Sequence, residues 1–314
     1  MPSASGLPTP GFHHLHLNSV NPDAAIDFYV RQFPSTKKGS WGGHKALFSP
    51  NDVMILFDKV AAPPPTEPTS PIWHFGWHVT DAQAAVRTFK DRAEVVMRPL
   101  YTSDEGGSVL ISSDTWPGEN GALGRTRPEI VEARAKNIQP TRKAGFAYMS
   151  GGPEDALFEI AGDYPQERFN HVHMWHEDPF CALLWYKKHL NAPVRAGFPD
   201  TDLGEENCRV ERGADQTWPA LNREGMFRTP RAGVEFDDVV LTWYANQVSD
   251  PLAPSRGQMQ DHIGLSVADL DAWIAKLGND GVKFLDGPYP LGDTRAVMIE
   301  GPSREAIELV EVKA

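Results

Sequence analysis

The feature that most constrains this chain is a unit that occurs four times. Each copy opens on a short strand-like run that carries histidine, crosses a polar turn, and continues as an amphipathic helix. The opening runs are residues 12–17, 73–79, 170–174 and 262–267, and the helices are expected over 24–33, 82–91, 180–190 and 270–278. In the first helix Ile26, Phe28, Tyr29 and Phe33 make an apolar stripe at three- and four-residue spacing. Asn21 followed by Pro22 marks its start, because the side chain can cap and proline stands where no amide bond is needed. After each helix, apolar runs broken by Gly, Pro and Asp predict a three-strand meander; in the fourth copy these are 282–284, 294–300 and 306–312. Repeats fix architecture before any other signal, so the expected fold is α+β, four βαβββ modules.

Length agrees with this division. The chain has 314 residues, enough for two domains of about 150 residues each. Residues 1–162 would hold modules one and two, at 11–60 and 72–162, joined by a proline-rich linker at 61–71. Residues 163–314 would hold modules three and four, at 168–248 and 259–314. Module two carries an insertion at 113–141, in which 127–138 could form a helix over an opening or a surface loop.

Charge and cysteine usage narrow the partners. With 42 acidic and 30 basic residues the net charge is −12, which disfavours a nucleic-acid partner. No apolar run reaches the length of a membrane span, and no basic amphipathic stretch points to a membrane surface. The N-terminus lacks the pattern of a secretory signal. Cys181 sits in an apolar helical pattern and reads as a buried thiol rather than half of a disulfide with Cys208. Together these give an expectation of a cytoplasmic protein with a small-molecule substrate; a homo-oligomer is left open.

The histidines are in register. His14 lies 15 residues before Tyr29 and His171 15 before Tyr186, so the two are equivalent; His74 and His262 hold the corresponding place in modules two and four. One such histidine would ordinarily be a satisfied core residue, but four in four opening strands point to ligands. Modules two and four also end alike, with Glu159 and Glu308 each six residues after a Gly-Pro proline and flanked by apolar residues. A glutamate inside a core-forming strand is costly unless it is paired or binds a metal. Four histidines and two glutamates make two sets of two histidines and one glutamate, which leave open coordination positions. Such a set suits Fe(II) oxygen chemistry, with Mn or Zn as alternatives.

These residues resemble the vicinal oxygen chelate superfamily: glyoxalase I, fosfomycin- and bleomycin-resistance proteins and extradiol ring-cleavage dioxygenases. His14 through Tyr29, and His262 through Glu308, look like its first-strand and last-strand motifs. The resemblance implies that modules pair into two half-open barrels, each cupping a divalent metal that chelates substrate through adjacent oxygens. The ligand positions fall on His14, His74, Glu159, His171, His262 and Glu308. Neighbouring modules would give His14, His74, Glu159 and His171, His262, Glu308. Crossed pairing would give His14, His262, Glu308 and His74, His171, Glu159. The pattern is similar to the extradiol dioxygenases, whose signature places a tyrosine four residues before the Gly-Pro proline; Met149 and Met298 stand there in this chain. The reaction expected is ring cleavage of an aromatic or enolic molecule with O2, an oxidoreductase activity. A redox-neutral isomerase, lyase or hydrolase on Mn or Zn, and a metal-free binding or resistance module, are the alternatives.

Further candidates follow from strand alternation. His16 and His173 come two residues after ligand positions, share their face, and could serve as acid–base groups. His78, Tyr148 and Arg295 are substrate-binding candidates. Trp73, Trp77 and Trp175 alternate with the histidines and are expected in the core, and His44, His176 and His189 on the surface or in the core. No separate organic cofactor is expected.

Overall fold

The computed structural model describes residues 6–64, 70–97, 146–198, 204–209, 231–246 and 251–313, with short pieces at 101–103, 107–109, 132 and 135–137. The first module runs β1 (Gly11–Ser19), α1 (Pro22–Gln32), β2 (Lys37–Trp41), β3 (His44–Phe48) and β4 (Met54–Lys59). The second runs β5 (Ile72–His78), α2 (Ala82–Lys90), β6 (Val95–Met97), the small hairpin β7 (Tyr101–Ser103) and β8 (Gly107–Val109), then β9 (Phe146–Gly151) and β10 (Ala156–Ala161). The third contributes β11 (Arg168–His176), α3 (Pro179–Leu190), β12 (Arg231–Phe236) and β13 (Val239–Ala245). The fourth is β14 (Gln260–Val267), α4 (Leu270–Asn279), β15 (Phe284–Leu291), β16 (Thr294–Glu300) and β17 (Ala306–Glu311). Nearly all of the 113–141 insertion, and the helix-or-loop reading of it, lies outside the described residues.

Helix starts are local and legible. Asn21, Asp81 and Asp269 each accept a hydrogen bond from the amide three residues on, at 3.3, 2.9 and 2.9 Å. Each satisfies a donor that the first helical turn leaves free.

Sheet pairing crosses the sequence. Sheet 1 has the order β15-β16-β17-β14-β1-β4-β3-β2, so module one shares it with module four. Sheet 2 has the order β12-β13-β11-β5-β10-β9-β6 and joins modules two and three. The opening strands form each seam: β1 runs antiparallel to β14, and β5 to β11. The boundary at 162/163 thus separates units of sequence, and both sheets straddle it.

One apolar core lies between the sheets. Helix α1 bridges them: Phe33 stacks on Trp77 of β5 at 3.9 Å, while Tyr29 meets both Trp77 and Phe57 of β4 at 5.8 and 6.3 Å. Helix α3 packs Tyr186 on Trp243 at 4.5 Å and donates its hydroxyl to Glu305 Oε1 at 2.8 Å. Because strand side chains alternate, Leu15, Phe75, Trp77 and Phe169 face this core while the histidines beside them face outward. Each sheet therefore presents its histidines on the face away from the helices.

Cys181 and Cys208 form a disulfide, with Cα atoms 4.9 Å apart across a separation of 27 residues. This corrects the reading of Cys181 as a buried thiol. The helical pattern placed the residue properly but could not show that the segment after α3 folds back over it.

Candidate metal centres

Bulges and glycines shape both seams in the same way. In β1–β14, Phe12 pairs with Leu265 but His14 with Gly264, and His16 pairs with His262 but Leu17 with Gln260; His13 and Asp261 are the extra residues. In β11–β5 the extra residues are Asn170 and Trp73. A bulge re-aims a side chain that alternation would send inward. Three of the four turn toward the outer nitrogen of the following histidine. His13 Nδ1 lies 2.8 Å from His14 Nδ1, Asn170 Oδ1 accepts from His171 Nδ1 at 2.8 Å, and Asp261 Oδ1 accepts from His262 Nδ1 at 2.6 Å. Fixing Nδ1 in this way aims Nε2 at the sheet face, the arrangement that orients metal-ligating histidines. Opposite His14 and His171 stand glycines, Gly264 and Gly76. A Cβ on Gly264 would lie 2.1 Å from the His14 ring, and one on Gly76 2.2 Å from the His171 ring.

On sheet 1 three donors converge. His14 Nε2 is 3.4 Å from His262 Nε2 and 3.4 Å from Glu308 Oε2, and His262 Nε2 is 3.9 Å from the same oxygen. Tyr289 donates a hydrogen bond to Glu308 Oε1. On sheet 2, His74 Nε2 lies 2.9 Å and His171 Nε2 3.8 Å from Glu159 Oε2. His173 joins this set, its Nδ1 2.9 Å from His74 Nε2 and 3.7 Å from Glu159 Oε2. The Tyr148 hydroxyl sits 2.9 Å from His74 Nδ1.

Burial prepares these groups as ligands. Burial, with the charges of neighbouring histidines His13, His262 and His16, holds His14 well below the ordinary histidine value. Burial does the same to His74 and, reinforced by His171 and His74, to His173; it lowers His171 to about 3. His14, His74, His171 and His173 are thereby neutral near pH 7, as a metal requires. Glu159 is pushed up by its burial, the cost of an uncompensated carboxylate that a cation would offset. His171 Nε2 is buried and makes no hydrogen bond. Donors at about 2.1 Å from one ion stand about 3.0 to 3.4 Å apart in octahedral or tetrahedral sets. The observed separations of 2.9–3.9 Å thus fit a divalent ion on each sheet.

The structure realises the crossed pairing. His14, His262 and Glu308 meet on sheet 1, and His74, His171 and Glu159 on sheet 2. His16 stacks on His262 at 4.4 Å, and His173 on His171 at 4.2 Å. His78 is buried against Tyr164 at 3.2 Å between ring centroids. Arg295 does not join either set. Its guanidinium lies on the helix-side face of β16, held by Glu311 at 2.9 Å and Asp271 at 3.1 Å. Of the tryptophans, Trp77 is in the core, but Trp73 and Trp175 stack on each other at 4.2 Å, with Tyr244 5.7 Å from Trp73, in a separate cluster beside the sheet-2 site. The bulge at Trp73 breaks the alternation that would have put it inside.

Other residues were missed or misplaced. Counting from the Gly-Pro pair puts Met149 at the tyrosine place, but the strand register puts Tyr148 opposite Glu159 and Met298 opposite Glu308. The β9–β10 turn leaves four residues unpaired, 152–155, against five, 301–305, between β16 and β17, and this shifts the count by one. Tyr289, Asp261, Asn170 and His13 carry no motif of their own. His44, read as surface or core, hydrogen-bonds Asp58, which itself stands 3.2 Å from His16 Nε2. His176 and His189 are structural: one accepts from the Asp178 amide, the other pairs with Asp280.

Comparison with known proteins agrees with this geometry. Residues 168–309 match the glyoxalase/bleomycin resistance protein/dioxygenase superfamily. That match covers modules three and four, and the fold of the chain is the vicinal oxygen chelate fold. Among solved structures with this fold, glyoxalase I from Zea mays is 15% identical, with a TM-score of 0.58 over 96% of this chain and 92% of that one. A presumed dioxygenase from Bacillus subtilis is 11% identical, with a TM-score of 0.52 over 96% and 85%. No curated protein matches by sequence. At such identity the vicinal oxygen chelate fold is shared and the reaction is not thereby assigned. No helix among the described residues is long and apolar enough to cross a membrane.

Proposed function

We propose that the protein is a metal-dependent vicinal oxygen chelate enzyme of the extradiol ring-cleavage type, with sheet 2 as its working site. The carrying observation is the set His74, His171 and Glu159 with His173 and Tyr148 against it. Two histidines and one carboxylate leave coordination positions for substrate and O2, the pattern of non-haem Fe(II) oxygenases. Bound there, Fe(II) would supply Lewis acidity toward adjacent substrate oxygens and activation of O2; Mn or Zn would supply the first alone.

This chain's residues would do the rest. Trp73 and Tyr244, 5.7 Å apart by centroid, offer an aromatic wall for a planar ring. His173, neutral through burial, can take a proton from a substrate hydroxyl at a ring nitrogen. Tyr148 can donate to a substrate oxygen in place of its contact with His74. Positive charge from Arg195, felt by Glu159, His171 and His173, favours a substrate bearing phenolate or carboxylate oxygens.

The test is elemental analysis of anaerobically purified protein, followed by oxygen-uptake screening with catechols and hydroquinones. Iron with oxygen uptake that Glu159→Gln abolishes supports the reading. Zinc or manganese with no uptake moves it to a redox-neutral isomerase, lyase or hydrolase. No metal, and none taken up on titration, removes it.

A further inference from the structure

Sheet 1 holds a second group of ligand-type side chains beside its triad. His16 Nε2 lies 3.2 Å from Asp58 Oδ2, and His44 Nδ1 lies 2.6 Å from Asp58 Oδ1. The three come from adjacent strands. Asp58 of β4 is two residues along in register from His16 of β1, which pairs with Leu56, and His44 opens β3 on the other side of β4. One donor atom from each lies within 4.8 Å of the others, and the same holds for His14, His16 and His262. His16 thus stands between two groups of donors.

Two observations separate this group from ordinary surface pairing. His16 is 3% exposed and its Nε2 makes no hydrogen bond, although Asp58 is near. A buried nitrogen left so carries a cost that a cation ligated there would offset. The second is the comparison between the sheets. With His14 equivalent to His171 and His16 to His173, the strand registers make Tyr244 the counterpart of Asp58 and Arg231 the counterpart of His44. The repeat retains the primary triad on both sheets but places Asp and His beside it on sheet 1 only. The fold itself therefore does not require these two residues.

We propose that His16, His44 and Asp58 form a second divalent-metal site on sheet 1, adjacent to that of His14, His262 and Glu308. Two imidazoles and a carboxylate select a first-row ion such as Zn(II), Co(II) or Mn(II) over Ca(II) or Mg(II). Asp58, with its side chain half exposed, forms the mouth through which the ion enters. A pair of neighbouring ions would receive an oxyanion between them, a ligand class that the single site of sheet 2 is not built to bridge.

The test is equilibrium dialysis of the full chain against Zn(II), with bound metal counted by mass spectrometry, and the electron paramagnetic resonance spectrum of the Mn(II)-loaded protein. Asp58→Asn and His44→Gln should each lower the count by one ion per chain and remove the exchange coupling between neighbouring Mn(II) ions. His74→Gln should lower the count separately and leave the coupling in place. Circular dichroism checks that each variant is folded. If Asp58→Asn and His44→Gln bind as much Zn(II) as the parent and no coupled spectrum exists, the proposal is overturned and the cluster is a hydrogen-bonded His–Asp–His group. Failure of the sheet-2 reading would show instead as an unchanged count in His74→Gln.

Discussion

Gly264→Ala should disable the sheet-1 metal site and spare sheet 2. The added Cβ would lie 2.1 Å from both Cε1 and Nδ1 of His14. Ordinary contact begins near 3.4 Å, so the ring must retreat by about 1.3 Å. Metal–ligand distances tolerate only about 0.2 Å. The ring has little room, because its Nδ1 is held by His13 at 2.8 Å and Trp41 lies at 6.4 Å between centroids. Two costs follow. The metal-free protein should lose about 1–3 kcal/mol from overpacking. Affinity at the site should fall more than about 100-fold, or more than about 2.7 kcal/mol, since an orienting contact alone is worth about 10- to 100-fold and here a ligand itself is displaced. The assay pairs Zn(II) titration calorimetry with denaturant unfolding of the metal-free protein, and Gly76→Ala is the matched control. Its Cβ would lie 2.2 Å from the His171 ring, so it should strike sheet 2 alone. If Gly264→Ala retained both the parent count and the parent affinity, His14 would not be a ligand and the triad assignment would be wrong.

Other expectations can be checked alongside. Glu305 is fully buried, and burial raises it to about 7 even with bonds from Tyr186 and the Ser303 amide. A carboxyl raised in the folded state contributes stability below its unfolded value of 4.5 and loses it as pH rises toward 7. Denaturant unfolding should show a decline of about 3 kcal/mol over that window that Glu305→Gln flattens. Breaking the Cys181–Cys208 bond, which closes 27 residues, should cost about 3.5 kcal/mol on loop entropy. Unfolding of the parent with and without reductant, set against Cys181→Ser, measures this. A thiol count on freshly isolated protein tests the cytoplasmic expectation, since a persistent disulfide belongs to an oxidising compartment. His173→Gln should lower turnover about 10²- to 10⁴-fold and remove one limb of the pH–rate profile while the metal count stays at the parent value. Loss of metal instead would make His173 a ligand.

The sequence by itself determined the repeat, its four helices with the cap at Asn21, and six residues in register. Each depends on spacing: 3.6-residue periodicity, a capping side chain three residues before its amide, a glutamate fixed to a Gly-Pro turn. None requires knowing which strand lies beside which. Pairing was the first thing the tertiary structure decided. The apolar stripes and linkers are compatible with either combination of modules, and the packing of α1 across Trp77 and Phe57 and the seams β1–β14 and β5–β11 realise the crossed one. The second was everything that departs from alternation. Bulges at His13, Trp73, Asn170 and Asp261 turn side chains that a period of two sends elsewhere, and a turn one residue shorter moves Tyr148 into the place where counting puts Met149. Arg295 failed for the complementary reason: its strand was right, but its face is set by pairing with Asp271 on α4 and Glu311 on β17. The neighbours of the candidate ligands, His44, Asp58 and Tyr289 among them, reach the sites from strands far apart in sequence, so no local pattern could bring them together.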